Sequence, residues 1–282
     1  MPNGFRPFEG GAMSALMFSP YLDHWNLVAD GTAIITDYSR LLPVRMRDGS
    51  KAMLKIALVP EERFGASVMA WWDGVGAAKV FEYAGDALLM ERALPDPQLD
   101  IMAVNGEDDE AIRVLCSTAA TLHGKTDEPP SGLIPLERRF DSLFAAAAVH
   151  GGIFRHSADA AAELLASQSD SRVLHGDLHH GNVLNFGPRG WLAIDPKGLI
   201  GDRSFEYCCL FGNPDPCAAL RRGRLARQAG IVSRTAAIDR PRLLKWIHAW
   251  AGLSAAMMLA DDAGGIDARL DLARLAAAEM AS

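Results

Sequence analysis

Cysteine is scarce in this chain: Cys116, Cys208, Cys209 and Cys217 are the four among 282 residues. No two form a Cys-x-x-Cys pair, so neither a disulfide framework nor an all-cysteine zinc site is expected; four reduced thiols are the plain reading. Positive charge is in deficit. Lys plus Arg number 28 against 35 Asp plus Glu, a net charge of -7, which argues against a generic binder of nucleic-acid phosphates and suits a cationic ligand. Long apolar runs are missing too. The most apolar late stretch, residues 249–260, is shorter than the roughly 20 residues that span a bilayer and reads as part of a buried helix. No basic region leads into an apolar core at the N-terminus. The expectation is a soluble cytoplasmic protein with no membrane and no obligatory protein partner. Internal repeats, heptads and a G-x-G-x-x-G loop are also absent. What remains, 49% hydrophobic and 22% charged, excludes a disordered or collagen-like chain and suits one large domain or two linked lobes.

Residues 1–20 carry Gly, Pro and Met without periodicity and read as a loose N-terminal extension. Strands are expected at 42–46 and 52–58 around the Asp48-Gly49 turn, followed by a helix from Pro60 toward Trp72 and strands at 81–82 and 87–90. Composition shifts at Leu94-Pro95-Asp96-Pro97, beyond which helices dominate. Ile112, Leu115, Ala119 and Leu122 recur at helical spacing. Ala-rich helices follow at 143–149 and 158–166, and Trp246, Trp250, Leu253 and Met257 share one face of a late helix, a core-packing pattern. The Arg221-Arg222-Gly223-Arg224 cluster reads as a solvated face near a helix start.

The informative stretch is His175-Gly176-Asp177-Leu178-His179-His180-Gly181-Asn182, flanked by short apolar segments and followed by Ile194-Asp195-Pro196. Asp177 can orient an acceptor hydroxyl and take its proton, while Asn182 and Asp195 can supply oxygen ligands to magnesium. His179 and His180 are adjacent and lack a third ligand at zinc spacing. His175 suits a structural hydrogen bond better than a base.

This order and spacing resemble the catalytic and metal-binding loops of kinases with a protein-kinase-like fold. With Trp71-Trp72-Asp73-Gly74, the segment 87–93 and Gly198-Leu199-Ile200-Gly201-Asp202, the chain is similar to the aminoglycoside/hydroxyurea antibiotic resistance kinase family, in its streptomycin 6-phosphotransferase branch. The resemblance implies an α+β, bilobal fold: a β-rich nucleotide-binding N-lobe over 21–93 and a helical catalytic and acceptor-binding C-lobe over 94–282. It implies ATP and Mg2+, with Lys55 on the α/β-phosphates, Glu62 (or its neighbour Glu61) paired with that lysine, and Met90, Glu91, Arg92 and Ala93 as the adenine-recognising connection. It implies O-phosphorylation of streptomycin at the 6-hydroxyl of the streptidine ring. Asp202 and Glu206 are the first candidates to receive the acceptor's guanidinium groups. Thr36-Asp37-Tyr38-Ser39-Arg40 occupies the phosphate-covering turn, and Gly181 departs from the glutamate common in that branch. A kinase for another aminoglycoside, hydroxyurea or a small cellular alcohol would keep the same chemical set. A catalytically weak nucleotide-binding regulator is a further alternative.

Overall fold

The computed structural model describes residues 11–262 and 264–281. The N-terminal part holds α1 (Gly11–His24), β1 (Val28–Ala29), β2 (Ile34–Ile35), β3 (Ser39–Arg45), β4 (Lys51–Ala57), α2 (Pro60–Trp72), β5 (Val80–Ala84) and β6 (Ala87–Glu91). The strands form one antiparallel sheet in the order β1-β3-β4-β6-β5, with β2 also on β3. At the tip of β3–β4, Gly49 adopts φ 84° and Asp48 accepts from the Ser50 N–H at 2.9 Å, the turn chemistry an Asp-Gly pair favours.

Side-chain alternation decides which way the sheet looks. Ala52, Leu54 and Ile56 of β4 enter a small core with Phe18, Leu27, Leu42, Val44, Ala87 and Leu89. Lys55 has the opposite parity and lies across from Leu88 of β6, which with Met90 belongs to the larger core shared with the C-terminal part. One strand thus buries its apolar side outward from the cleft and turns its lysine inward.

The expected boundary at residue 20 needs correction. Helix α1 runs continuously through Pro20, and Phe18 before it packs into the same core as Tyr21, Leu22 and Trp25 after it. Residues 1–10 of the expected extension lie outside the described residues.

The C-terminal part holds α3 (Leu99–Met102), α4 (Asp108–His123), β7 (Ile134–Pro135), α5 (Leu136–Arg139), α6 (Asp141–His150), α7 (Gly152–Ala166), β8 (Ser171–Leu174), β9 (Val183–Asn185), β10 (Trp191–Ala193), β11 (Leu199–Asp202), a 3-10 segment (Arg203–Gly212), α8 (Pro216–Ala219), α9 (Arg224–Ala236), α10 (Arg240–Ala260) and α11 (Ile266–Met280). Helix α10 packs on α6, α7, α11 and the 3-10 segment. It is longer than the apolar stretch suggests: 21 residues, long and apolar enough to cross a membrane by length and composition, and mostly buried within the fold. Trp246 and Leu253 are buried and Met257 is packed against the core. The four cysteines are free thiols. Arg224 is not part of a solvated face. It is buried and makes two hydrogen bonds with Asp108, at 2.7 and 2.8 Å, joining α9 to α4.

Two strand pairings position the chemistry. β8 ends at Leu174, which pairs with Leu199 at the start of β11. β9 begins at Val183, which pairs with Ala193 at the end of β10. The loops 175–182 and 194–198 are therefore pinned at both ends and run side by side.

Candidate active site

The two loops are tied directly. The Ile194 N–H donates to the Asn182 carbonyl at 2.9 Å, and the Lys197 N–H to the His175 carbonyl at 2.6 Å. The fully buried His175 ring lies 2.7 Å from the Ile194 carbonyl through Nε2, while its Nδ1 accepts from the Asp177 N–H at 3.3 Å. An accepting Nδ1 leaves the proton on Nε2, which donates to Ile194. Burial also holds the ring's pKa below its ordinary value, against the pull of Glu206. His175 is thus a neutral brace between the loops, stacked on Trp72 of α2 at 6.2 Å. Gly176 adopts φ +81°, and a Cβ there would lie 2.7 Å from Leu199, so both conformation and space require glycine.

Asp177 is partly exposed at the loop surface, with the His179 Nε2 3.8 Å from its carboxylate. The Asn182 side-chain N–H donates to the Asp177 carbonyl at 2.9 Å and reaches its carboxylate at 3.5 Å. That directs the amide oxygen of Asn182 elsewhere. Asp195 follows on the neighbouring loop at φ 63°, a left-handed conformation that costs an ordinary side chain about 1 kcal/mol or more and often marks a functional position. Burial opposes its charge, yet the Lys55 and Lys197 ammoniums hold its carboxyl well below the usual range. An amide oxygen and an ionised carboxylate, on loops joined at Ile194, are hard oxygen donors that fit magnesium.

From the sheet, the Lys55 ammonium bonds both Glu62 of α2 and Asp195. Of the two acidic neighbours, Glu62 is the one that reaches it; Glu61 points to Arg139 at 3.6 Å. Lys197, which the sequence reading did not single out, donates to the other oxygen of Glu62 at 2.8 Å. Its only sequence signal is a lysine two residues past Asp195.

At the connection, Met90 is buried in β6. Glu91 pairs with Arg189 through its side chain and donates its N–H to the Lys79 carbonyl at 2.9 Å. Arg92 pairs with Asp30 at 2.5 Å, and Ala93 packs against the large core. Both charged side chains are committed to the scaffold. The Thr36–Arg40 turn is closed by a side chain rather than by glycine: Thr36 Oγ1 accepts from Ser39 N–H at 2.9 Å.

Asp202 and Glu206 do not face an acceptor. Each is about 1% exposed. Asp202 caps the 3-10 segment through the Ser204 N–H at 2.9 Å and pairs with Arg242 of α10. Glu206 accepts from the N–H groups of His175 and Gly176 at 2.7 and 2.9 Å and lies 3.2 Å from His123. Burial opposes both charges, but these partners leave both carboxyls below their ordinary pKa values. Glu206 supports the 175–182 loop from behind, and Asp202 ties β11 to α10 and to the turn before β8. Sequence spacing carries little signal for this, because apart from Ser204 the partners named lie 30 to 83 residues away.

The profile of the aminoglycoside/hydroxyurea antibiotic resistance kinase family matches residues 24–262. The streptomycin 3''-kinase of Klebsiella pneumoniae is 48% identical over 85% of this chain and 91% of its own length. The streptomycin 6-kinase of Streptomyces glaucescens is 31% identical over 80% of this chain and 77% of its own. Among solved structures, aminoglycoside phosphotransferase APH(4)-Ia superposes with a TM-score of 0.63 at 14% identity, covering 96% and 97% of the two chains. The chain belongs to the aminoglycoside/hydroxyurea antibiotic resistance kinase family: it is a phosphotransferase with an alcohol acceptor, built on the protein-kinase-like fold of a β-sheet N-lobe and a helical C-lobe.

Proposed function

We propose that this kinase transfers the γ-phosphoryl group of ATP to a hydroxyl of streptomycin and thereby confers resistance to it. The observation that carries the mechanism is the convergence of Lys55, Asp177, Asn182 and Asp195 from a strand and two braced loops onto one side of the cleft. The 48% identity to a streptomycin kinase over most of both chains supports the acceptor.

The nucleotide lies between the lobes, its adenine against the main chain of residues 90–93. Asn182 and Asp195 would hold magnesium, which when bound offsets phosphate charge. Lys55 contributes attraction to the phosphates. Asp177 accepts a hydrogen bond from the acceptor hydroxyl and orients its oxygen toward the γ-phosphorus. The new O–P bond forms as the bond from the γ-phosphorus to the bridging oxygen breaks. ADP leaves with that electron pair, and the hydroxyl proton passes to Asp177 and then to solvent. Positioning and charge placement supply most of the rate.

Two hydroxyls have specific support. The higher identity to a 3''-kinase favours the 3''-hydroxyl; the branch motifs and the relatives named 6-kinases, at 31% and 34%, favour the 6-hydroxyl of the streptidine ring. The test is an ATP-consumption screen across streptomycin, other aminoglycosides and hydroxyurea, with product mass and NMR locating the phosphate. Streptomycin monophosphate is the expected product, and the phosphorylated carbon decides between the two hydroxyls. Saturable transfer to another acceptor with none to streptomycin overturns the substrate.

A further inference from the structure

Glu62 is the most heavily used carboxylate of the cleft. Its side chain is 4% exposed, and each of its oxygens is taken by a different lysine: one by Lys55 of the sheet, the other by Lys197 of the Asp195 loop. Lys55 has two partners of its own, Glu62 and Asp195. If Asp195 is to hold a metal and Lys55 the phosphates, Lys55 must loosen its bond to Asp195 when nucleotide enters while its pairing with Glu62 stays. A carboxylate as buried as Glu62 depends on its ammonium partners to stay where it stands. Lys197 reaches Glu62 independently of Lys55: its backbone is fixed to His175 and its ammonium bonds the other Glu62 oxygen.

The packing around this contact points the same way. Helix α2 rests on the 195–198 segment with no room to spare. A Cβ on Gly65 would lie 2.3 Å from the Pro196 carbonyl oxygen, and one on Gly198 would lie 2.4 Å from Phe64. Glu62, Phe64 and Gly65 of α2 therefore meet Lys197, Gly198 and Pro196 in one continuous seam between the lobes.

We propose that Lys197 is a positioning residue that anchors Glu62, and with it α2, to the Asp195 loop, so that Glu62 is held where Lys55 needs it to meet the phosphates. This rests on the kinase reading of the site but not on the identity of the acceptor.

The test is ATP affinity, measured by calorimetry without acceptor, in Lys197→Met, Lys197→Arg, Glu62→Gln and the Glu62→Gln/Lys197→Met double variant. Lys197→Met is expected to weaken ATP binding about tenfold and to leave the KM for streptomycin unchanged. Lys197→Arg, which keeps the charge, restores affinity to within about threefold of the parent. The double variant binds no worse than Glu62→Gln alone, because the two residues act through one contact. Parental ATP affinity in Lys197→Met overturns the proposal. So do losses that multiply in the double variant, which would make Lys197 act on the phosphates directly. If Lys197→Met does not fold, Lys197→Gln removes the charge with the same expected direction. Failure to phosphorylate streptomycin with ATP binding intact would strike the acceptor and leave this inference standing.

Discussion

The candidate site has a front and a back, and each carries two carboxylates. In front, Asp177 and Asp195 border the cleft, 38% and 33% exposed at the side chain. Behind, Asp202 and Glu206 are sealed, at 1% and 0%. The same residue types do opposite work because their surroundings differ. The front pair keeps oxygens directed at the cleft, where charge can meet a ligand. The back pair spends its oxygens on backbone N–H groups, on Arg242 and on His123, converting charge into rigidity. A braced loop lowers the reorganisation needed at the moment of transfer, so under the proposed function Glu206 serves the front pair from behind.

The largest expected effect tests the front. Asp177→Asn should lower kcat by about 10³-fold, within the range for a lost general base, while ATP affinity and the thermal midpoint stay near parental values. Steady-state kinetics and a melting curve check it; parental turnover, or a large fall in the melting point, would erase the contrast. The next tests the back. Glu206→Gln places an NH₂ group against one of the two N–H donors of His175 and Gly176, and should cost about 2–3 kcal/mol of stability, read from urea unfolding. A stable Glu206→Gln protein with a raised KM for streptomycin would instead move Glu206 into the acceptor site.

The smallest effect is one of pH. The carboxyls of Asp202 and Glu206 titrate below their ordinary values in the fold. Their stabilisation is therefore fully present above the unfolded values near pH 4 and is lost as pH falls through the folded ones. Arg242→Met removes the side-chain partner of Asp202. It should cost about 1–2 kcal/mol at pH 7, and the gap to the parent should narrow as the solution is acidified below about pH 4. A gap independent of pH would show that Arg242 acts through its bonds to Ser167 and its packing rather than through Asp202.

Much of the site's chemistry was legible before any fold was known. Asp177, Asn182 and Asp195 stand in a spacing that two adjacent loops can share, and Lys55 lies in a strand whose alternation already turns it away from Leu54 and Ile56. Helix α2 announces itself by Pro60 and two glutamates in its first turn. Other features were not legible. Asp202 and Glu206 are polar residues close behind the Ile194-Asp195-Pro196 segment, and nothing local separates a substrate-facing carboxylate from a structural one. Arg224 sits in a basic cluster that reads as surface, yet its partner Asp108 lies 116 residues earlier. Lys197 shows its role only when α2 is laid against it.

The sequence by itself determined the main strands and helices of the two lobes and the inventory of reactive groups, because these follow from near-neighbour periodicity and turn chemistry. Tertiary structure alone decided which carboxylates meet the cleft and which brace the loop from behind, and that Glu62 answers to two lysines. Burial and pairing between distant segments set those outcomes, and they depend on distances in space that no spacing along the chain encodes.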